Sequence, residues 1–536
     1  MESPSENQLS IPNLPEDVFL HILDGLDPWD VCRCRRVARA WKDVFEKDEY
    51  LSIALRKYPR SREVRRLVQS ESNPSSSSLE TEKQSILKTF NTVASRYYHL
   101  THGKARSIEK YKVFASEQLS SWFPVANWEY HESQPGGRLY YENATHISRL
   151  GGKPFLFRPT FWSYDDGLVV FAPGDSFSEW GRSWRLQTHA AESALMLLDL
   201  HHNSFHPIPF DIEQRVIRNL RLRGRTLIIE WAEKQPFHAL NDTEQVHRHF
   251  ATCLDILSCP PLEEEGRLVL WEVKFRNEWK IHFLGLPLTH RDRFFSTHSA
   301  THYAVYFWQP NRSMYTGDEE RPIESLFVWD ISRPSSYRPS ADPTGKHSTG
   351  QAGPQMIERL VLDQLDYYGI RQHSDIALMS MRLDSPNHTL TIRENVCVAG
   401  QGYFDPAERL SCAKTTTLLF EGRQGPYLYR EWDGNLPPYR GHCSMDSCDV
   451  AEPEKWFLPI MDVLDEDPDV RFSLVQTCFT GQYVENSRVI RIKANGETAT
   501  LEQPLVEQVA ALGKIAGDER WLVGQNHSLE LVVLKF

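Results

Sequence analysis

Apolar residues recur at helical spacing through the first hundred positions and at strand spacing after them. In the first tract Val18, Phe19, Ile22, Leu23 and Leu26 fall three and four apart, which makes one stripe along a helix. Pro15 suits the first helical position, where a missing N–H costs nothing, and Glu16 and Asp17 place negative charge at the positive end of the macrodipole. Asp27 can cap a second helix, with Pro28 at its first position and Asp30 in its first turn. Val31, Cys34, Val37 and Trp41 mark another buried stripe, and Arg33, Arg35, Arg36, Arg39 and Lys42 fill the remaining positions. The pattern predicts a module of three short helices over residues 11–55, behind a disordered tail at 1–10. Helices this short cannot bury all of their apolar surface by themselves, so some of it is available to a partner.

Residues 56–110 read as a connector. Arg56, Lys57, Arg60, Arg62, Arg65 and Arg66 predict a solvated basic face in preference to a localisation signal or a patch for an acidic partner. Gln69 to Glu82, a serine run with Pro and acids, has almost nothing to bury and predicts a disordered linker. Ile86, Leu87, Phe90, Val93, Ala94, Tyr97 and Tyr98 then restore helical spacing over Lys83–His99, a helix that stiffens the join to the strand-rich remainder of the chain.

From about Tyr111 short runs of Val, Ile, Leu, Phe, Trp and Tyr alternate with Gly, Pro, Asn and Asp. Gly167–Ala172, Ala194–Leu200, Thr226–Trp231, Arg267–Val273, Tyr303–Trp308, Ser325–Ile331, Ile376–Leu383, Thr415–Phe420, Ser487–Ile492 and Leu529–Phe536 predict antiparallel strands. So many short strands exceed one sandwich, and radial repetition protects their edges. The predicted fold class is therefore α+β multidomain: a helical module, a helical linker and an all-β domain over 111–536, read as a degenerate β-propeller of six to seven blades. Leu197-Leu198-Asp199, Cys253-Leu254-Asp255, Val328-Trp329-Asp330 and Val361-Leu362-Asp363 resemble the ends of propeller strands, at uneven intervals, and Leu529–Phe536 suits a closing strand. Ser332 to Pro354, rich in Pro, Ser and Gly, predicts a disordered or surface insertion, and a competing picture divides two β domains there.

Leu14-Pro15, the acidic pair after it, Val18, Ile22-Leu23, Leu26, Val31, Cys34, Val37, Arg39 and Trp41 together resemble the F-box family. Asp17, Gly25 and Ala38 are minor departures. The resemblance implies docking on a Skp-type adaptor, which links the chain to a cullin and a RING subunit. The remainder would select a protein target, making the chain the substrate-recognition subunit of a Skp–cullin–F-box ubiquitin ligase. Leu14, Pro15, Ile22, Leu23, Leu26, Val31 and Val37 are the expected adaptor contacts, with Trp41 reserved for internal packing. An adaptor-binding scaffold outside any ligase, and a propeller-type enzyme, are the alternatives.

Composition narrows the classes further. Apolar residues at 40% and charged ones at 25% are those of a globular protein, and no apolar run is long enough to cross a membrane as a helix. The polar N-terminus lacks the basic and apolar regions of a secretory signal. Nine cysteines without tight pairing fit reduced thiols, so the cytosol or nucleus is the expected location. A net charge of −12 argues against nucleic acid or anionic membranes as partners.

Catalytic and metal candidates each fail on spacing. His247/His249 and His298/His302 lack a third ligand and read as rim or surface residues, and His442 with Cys443 and Cys448 does not make a zinc knuckle. Asp465, Asp467 and Asp469 imitate a calcium loop, but Val470 stands where the turn glycine belongs and Gln476 where the bidentate Glu belongs. No catalytic residue, cofactor or metal is expected. Trp122, Trp128, Trp162, Trp180 and Trp184 read more readily as core than as a recognition surface.

Overall fold

The computed structural model describes residues 14–71, 79–113, 162–173, 195–242, 244–264, 267–288, 292–311, 321–344, 353–372, 378–398, 410–420, 427–433, 455–465, 467–479 and 487–536. The expected tail at 1–10, His442, Cys443, Cys448, Trp122, Trp128, Trp180 and Trp184 lie outside the described residues.

Helix α1 spans Glu16–Gly25, with Pro15 as its cap residue and not, as the sequence suggests, its first helical position. Its C-terminal end is closed from a distance: Lys57 Nζ donates to the carbonyl oxygens of Asp24 and Leu26, at 2.5 and 2.6 Å. Helix α2, Pro28–Cys34, opens as its sequence dictates, the Asp27 carboxylate accepting from the Trp29 N–H at 3.1 Å. It stops at Cys34, so the expected second stripe is broken. Val37 lies in the turn before α3, Arg39–Phe45. A fourth helix, α4, follows at Asp48–Leu55 and buries Tyr50, Leu51, Ala54 and Leu55.

Helix α5 covers Arg62–Glu71 and α6 covers Leu79–Thr101. The predicted linker Gln69–Glu82 is thus helical at both ends, and 72–78 lie outside the described residues. Among the described residues no helix is long and apolar enough to cross a membrane.

Among the described residues the regular structure that follows is antiparallel sheet, apart from α7, Leu362–Tyr367, and α8, Gln503–Val509. Six four-stranded sheets succeed one another. Sheet I holds Trp162–Asp165, Leu168–Phe171, Met196–Asp199 and Ser204–Pro207. Sheet II holds Arg215–Arg223, Thr226–Glu233, His249–Glu264 and Arg267–Lys280. Sheet III comprises Arg293–His298, His302–Gln309, Ile323–Asp330 and Gln355–Val361. Sheet IV comprises Leu378–Asp384, Thr389–Val398, Leu410–Leu419 and Tyr427–Asp433. Sheet V is built from Lys455–Asp465, Val470–Phe479, Ser487–Ala494 and Glu497–Thr500. Sheet VI combines Ile515–Gly517, Trp521–Gln525 and Glu530–Lys535 with Ser107–Lys112 from the other end of the chain.

In sheets I to V the strands follow chain order, sheet VI being completed by the early strand Ser107–Lys112, and first strands lie beside first strands: VI beside I, I beside II, II beside III, III beside IV, and V beside VI. Apolar clusters fill the spaces between neighbouring sheets I and II, II and III, III and IV, and VI and I.

Several sequence readings change here. The β region starts at Ser107, because that strand pairs with Glu530–Lys535, residue for residue from Ser107↔Lys535 to Lys112↔Glu530. Ile323–Asp330 pairs with Gln355–Val361 across the Pro, Ser and Gly-rich segment, which does not divide two domains. Within that segment 332–344 lie on sheet II, the surface insertion of the two alternatives and not the disordered one. The Ser335 N–H donates to the Arg276 carbonyl at 2.9 Å, the Ser340 N–H to the Glu278 carboxylate at 3.1 Å, and the Arg338 guanidinium lies 3.9 Å from the centre of the Phe275 ring. Leu197-Leu198-Asp199 and Val328-Trp329-Asp330 do end strands, but Cys253-Leu254-Asp255 is mid-strand at a bulge and Val361-Leu362-Asp363 enters α7.

The helices do not stand apart from the sheets. One apolar cluster runs from Phe19, Leu23 and Val31 through Phe45, Leu51 and Leu55 to Phe90, Val93 and Tyr97 on α6. It continues into Phe472, Leu474 and Ile490 of sheet V and Leu522, Val532 and Leu534 of sheet VI. Burial of each large side chain in it contributes roughly 1.5–3 kcal/mol. Part of the surface that three short helices cannot hide is therefore hidden against the chain's own α4 and α6, and α6 in turn packs on sheet V.

Candidate docking surface and its anchorage

The seven residues expected to meet an adaptor divide into two sets. Leu23 and Val31 are each 1% exposed, packed into the core with Phe19, whose ring lies 5.0 Å from Phe45 and 4.8 Å from Tyr50. A side chain with no accessible surface has no area to give another polypeptide in this conformation, so in this structure Leu23 and Val31 pack the helices together. Val37 is 62% exposed, Pro15 is exposed, and Leu14, Ile22 and Leu26 are half-buried. Leu26 packs on the core with its inner side. Val18, 42% exposed, belongs with the outer set although sequence reasoning placed it only in the inner stripe. The one-residue step from Val18 to Phe19 is what separates them, since neighbours on a helix face about 100° apart. Trp41 is half-buried with its ring 6.0 Å from that of Phe45, an internal packing role as expected.

Around Val37 the surface is basic. Arg36, Arg39 and Lys42 are exposed, and none has a carboxylate within ion-pair distance among the described residues. Arg35 points the other way. It pairs with Glu46 at 2.5 Å and donates to Asn91 Oδ1 at 2.6 Å, tying α2 to α3 and α6. Trp29 stacks on Tyr98 at 4.6 Å, and Tyr58 on Tyr97 at 4.2 Å, fastening α2 and the end of α4 to α6.

The basic segment after α4 is a solvated face only in part: Arg56, Arg60 and Arg66 are exposed, but three of its arginines are paired with carboxylates. Arg60 pairs with Asp469 at 3.4 Å, Arg62 with Asp465 at 3.0 Å and with Asp166 at 2.7 Å, and Arg65 with Asp467 at 3.0 Å. The three aspartates that imitate a calcium loop are the counter-ions of three arginines some 400 positions earlier. They sit where sheet V turns from its first strand to its second.

Beneath this pairing lies a buried node. Glu519, fully buried, accepts from the Arg62 backbone N–H at 3.0 Å and from the Tyr97 hydroxyl at 3.1 Å, and lies 3.2 Å from Arg96. Arg96 also holds Glu63 through two hydrogen bonds of 2.7 Å. Beside it Arg520 binds Asp518, reaches Asp166 at 2.6 Å and donates to His201 Nε2 at 2.8 Å. Burial raises the Glu519 carboxyl pKa, and Arg96 offsets this only in part. Burial also pushes Asp518 upward, but Arg520 outweighs it and the net shift is down. Burial, with Arg520 second, lowers His201 to about 4. Helices α5 and α6 and sheets I, V and VI thus meet in one ion-pair network.

The histidine pairs are interior residues, contrary to their reading as rim or surface groups: His247, His249, His298 and His302 are all under 9% exposed. His249 Nδ1 contacts the His247 carbonyl at 2.8 Å while Nε2 faces Arg218 at 3.0 Å, which fixes a neutral ring. No group of three metal-ligating side chains occurs among the described residues. Trp162 is core, 1% exposed, its indole N–H donating to Gln525 at 3.0 Å.

A small helical docking module fused to a multi-sheet β region is the class these features define. Residues 11–52 match the family model for the F-box-like domain, so the chain carries an F-box-like domain at its helical end. No curated protein matches the chain.

Proposed function

We propose that the chain is the target-recognition subunit of a Skp–cullin–F-box ubiquitin ligase. In this reading the F-box-like helices dock on a Skp-type adaptor, cullin and RING subunits are reached through it, and the β region holds a protein target near the charged conjugating enzyme. Proximity raises the effective concentration of the target's lysines, and the transfer chemistry belongs to the partners. The observation that carries the proposal is the outward apolar set on a domain matching the F-box-like model: Leu14, Pro15, Val18, Ile22 and Val37.

The β region is read as a six-bladed propeller. Supporting this are six four-stranded meanders, first strands set side by side, and a last sheet completed by the strand at Ser107–Lys112. The cytosol or nucleus is the proposed location, where the free thiols of Cys32, Cys34, Cys253 and Cys259 stay reduced.

The test is co-purification of the full chain with a purified Skp-type adaptor. Leu14→Ala/Pro15→Ala and, separately, Val37→Asp should each weaken binding tenfold or more, which is about 1.4 kcal/mol, without lowering the unfolding midpoint. Undiminished binding by both variants, or no binding by the wild type, refutes the proposal.

A further inference from the structure

Beside sheet II the strands His238–Ala239, Gln245–His247 and Leu286–Pro287 form a small three-stranded sheet. Large apolar side chains stand exposed at both of its edges: Phe237 at 60% and Leu240 at 44% flank one outer strand, and Phe283 at 55% and Leu284 at 76% precede the other. Gly285, at φ +81°, follows the second pair, and its backbone approaches the His247 carbonyl so closely that a Cβ there would come within 2.5 Å of it. Phe283 is braced from below, edge-on to Phe327 at 5.8 Å. Exposed apolar groups gathered in this way mark an interaction surface.

The charges around the two phenylalanines differ. Arg248 lies over Phe237 at 5.7 Å, but Glu233 chelates its guanidinium. Arg359 lies over Phe283 at 5.5 Å and is exposed, with no carboxylate within ion-pair distance among the described residues. Arg359 sits on Gln355–Val361, an edge strand of sheet III whose backbone is partly capped. The Arg359 N–H donates to the Glu358 carboxylate at 3.1 Å and the Val361 N–H to the Gln364 side chain at 3.0 Å. Those donors are taken, so a visiting segment is gripped by side chains and not by strand addition.

We propose that this surface docks the target protein through a short segment combining large apolar residues with an acidic one. The apolar side chains pack on Phe283 and Leu284, and the carboxylate pairs with Arg359, whose planar fork suits it. The name of the occupant rests on the receptor reading above. The surface itself lies on elements remote in sequence from the adaptor face, so the two stand or fall separately.

The experiment is random-peptide display against the full chain, counter-selected on the Phe283→Asp/Leu284→Asp variant, with adaptor binding and unfolding midpoint followed for every variant. Enriched peptides should pair Leu, Ile, Phe or Trp with Asp or Glu and lose affinity tenfold or more on the double variant. Arg359→Glu should switch the charge preference to Lys or Arg. Adaptor binding should not change. Absence of peptides that depend on positions 283 and 284, or binding indifferent to the sign at 359, overturns the proposal. Loss of adaptor binding by the wild type would sink the ligase reading and leave the peptide result intact.

Discussion

Replacing Glu519 separates two ways in which the buried node could join the helices to the sheets. Glu519→Ala removes the acceptor for the Tyr97 hydroxyl and the Arg62 N–H and strips Arg96 of one of its two carboxylates, all in a site where Glu519 is 0% exposed and Arg96 4%. Breaking a buried pair from one side costs about 3–5 kcal/mol, and each stranded buried donor adds roughly 1 kcal/mol or more. Glu519→Gln behaves differently. Burial already disfavours the charged carboxyl, and an amide oxygen still accepts a hydrogen bond, so its loss should stay below about 1.5 kcal/mol. Arg65→Ala, which opens a surface pair with Asp467, should cost no more than about 1 kcal/mol. Urea unfolding of the full chain gives the three differences, and hydrogen exchange along α6 locates them. If Glu519→Gln is as damaging as Glu519→Ala, net charge and not hydrogen bonding holds the node. If Glu519→Ala is no worse than Arg65→Ala, the node does not hold the two regions together.

Two further outcomes depend on particular residues. Gly103 ends α6 at φ +63°, and a Cβ there would lie 2.0 Å from the Thr500 carbonyl oxygen, so Gly103→Ala should lower stability by about 2–4 kcal/mol. Gly496, at φ +80° with open space around it, should lose only about 1 kcal/mol on the same change, and equal denaturation midpoints would refute the clash. His201 and His249 are held neutral in the fold, with pKa values depressed by burial and then by Arg520 and Arg218 respectively. Their contribution is present above the unfolded value of about 6.5 and is lost as pH falls below it, where unfolding takes up protons, the buried His249 contributing more than the solvent-exposed His201, whose share is screened. Thermal midpoints recorded from pH 7.5 down to 4.5 should therefore fall, less steeply for His201→Gln, and an identical slope in that variant would count against the assignment.

Local chemistry was legible in advance wherever the signal lies within a few residues. Asp27 and Pro28 start α2 because a capping carboxylate and a fixed φ act over one turn, and alternation with turn residues announced strands such as Thr226–Glu233 and Ile323–Asp330. The match of 11–52 to the F-box-like model rests on the same short-range spacing. What needed the folded chain was every choice between partners far apart in sequence. An apolar stripe announces burial but not against what, so Leu23 and Val31 looked equivalent to Ile22 and Val37 until α4 and α6 helped cover one pair and left Val37 exposed and Ile22 half-buried. The run Arg60, Arg62 and Arg65 looked solvated, and Asp465, Asp467 and Asp469 looked like a broken metal loop, because each set in isolation is a cluster of like charge that water would hydrate. Folding brings the two clusters to ion-pair distance and answers both. Sequence spacing fixes what a segment can do by itself, and only the tertiary structure decides which of its surfaces and charges remain available, because burial and Coulomb attraction depend on distance in space.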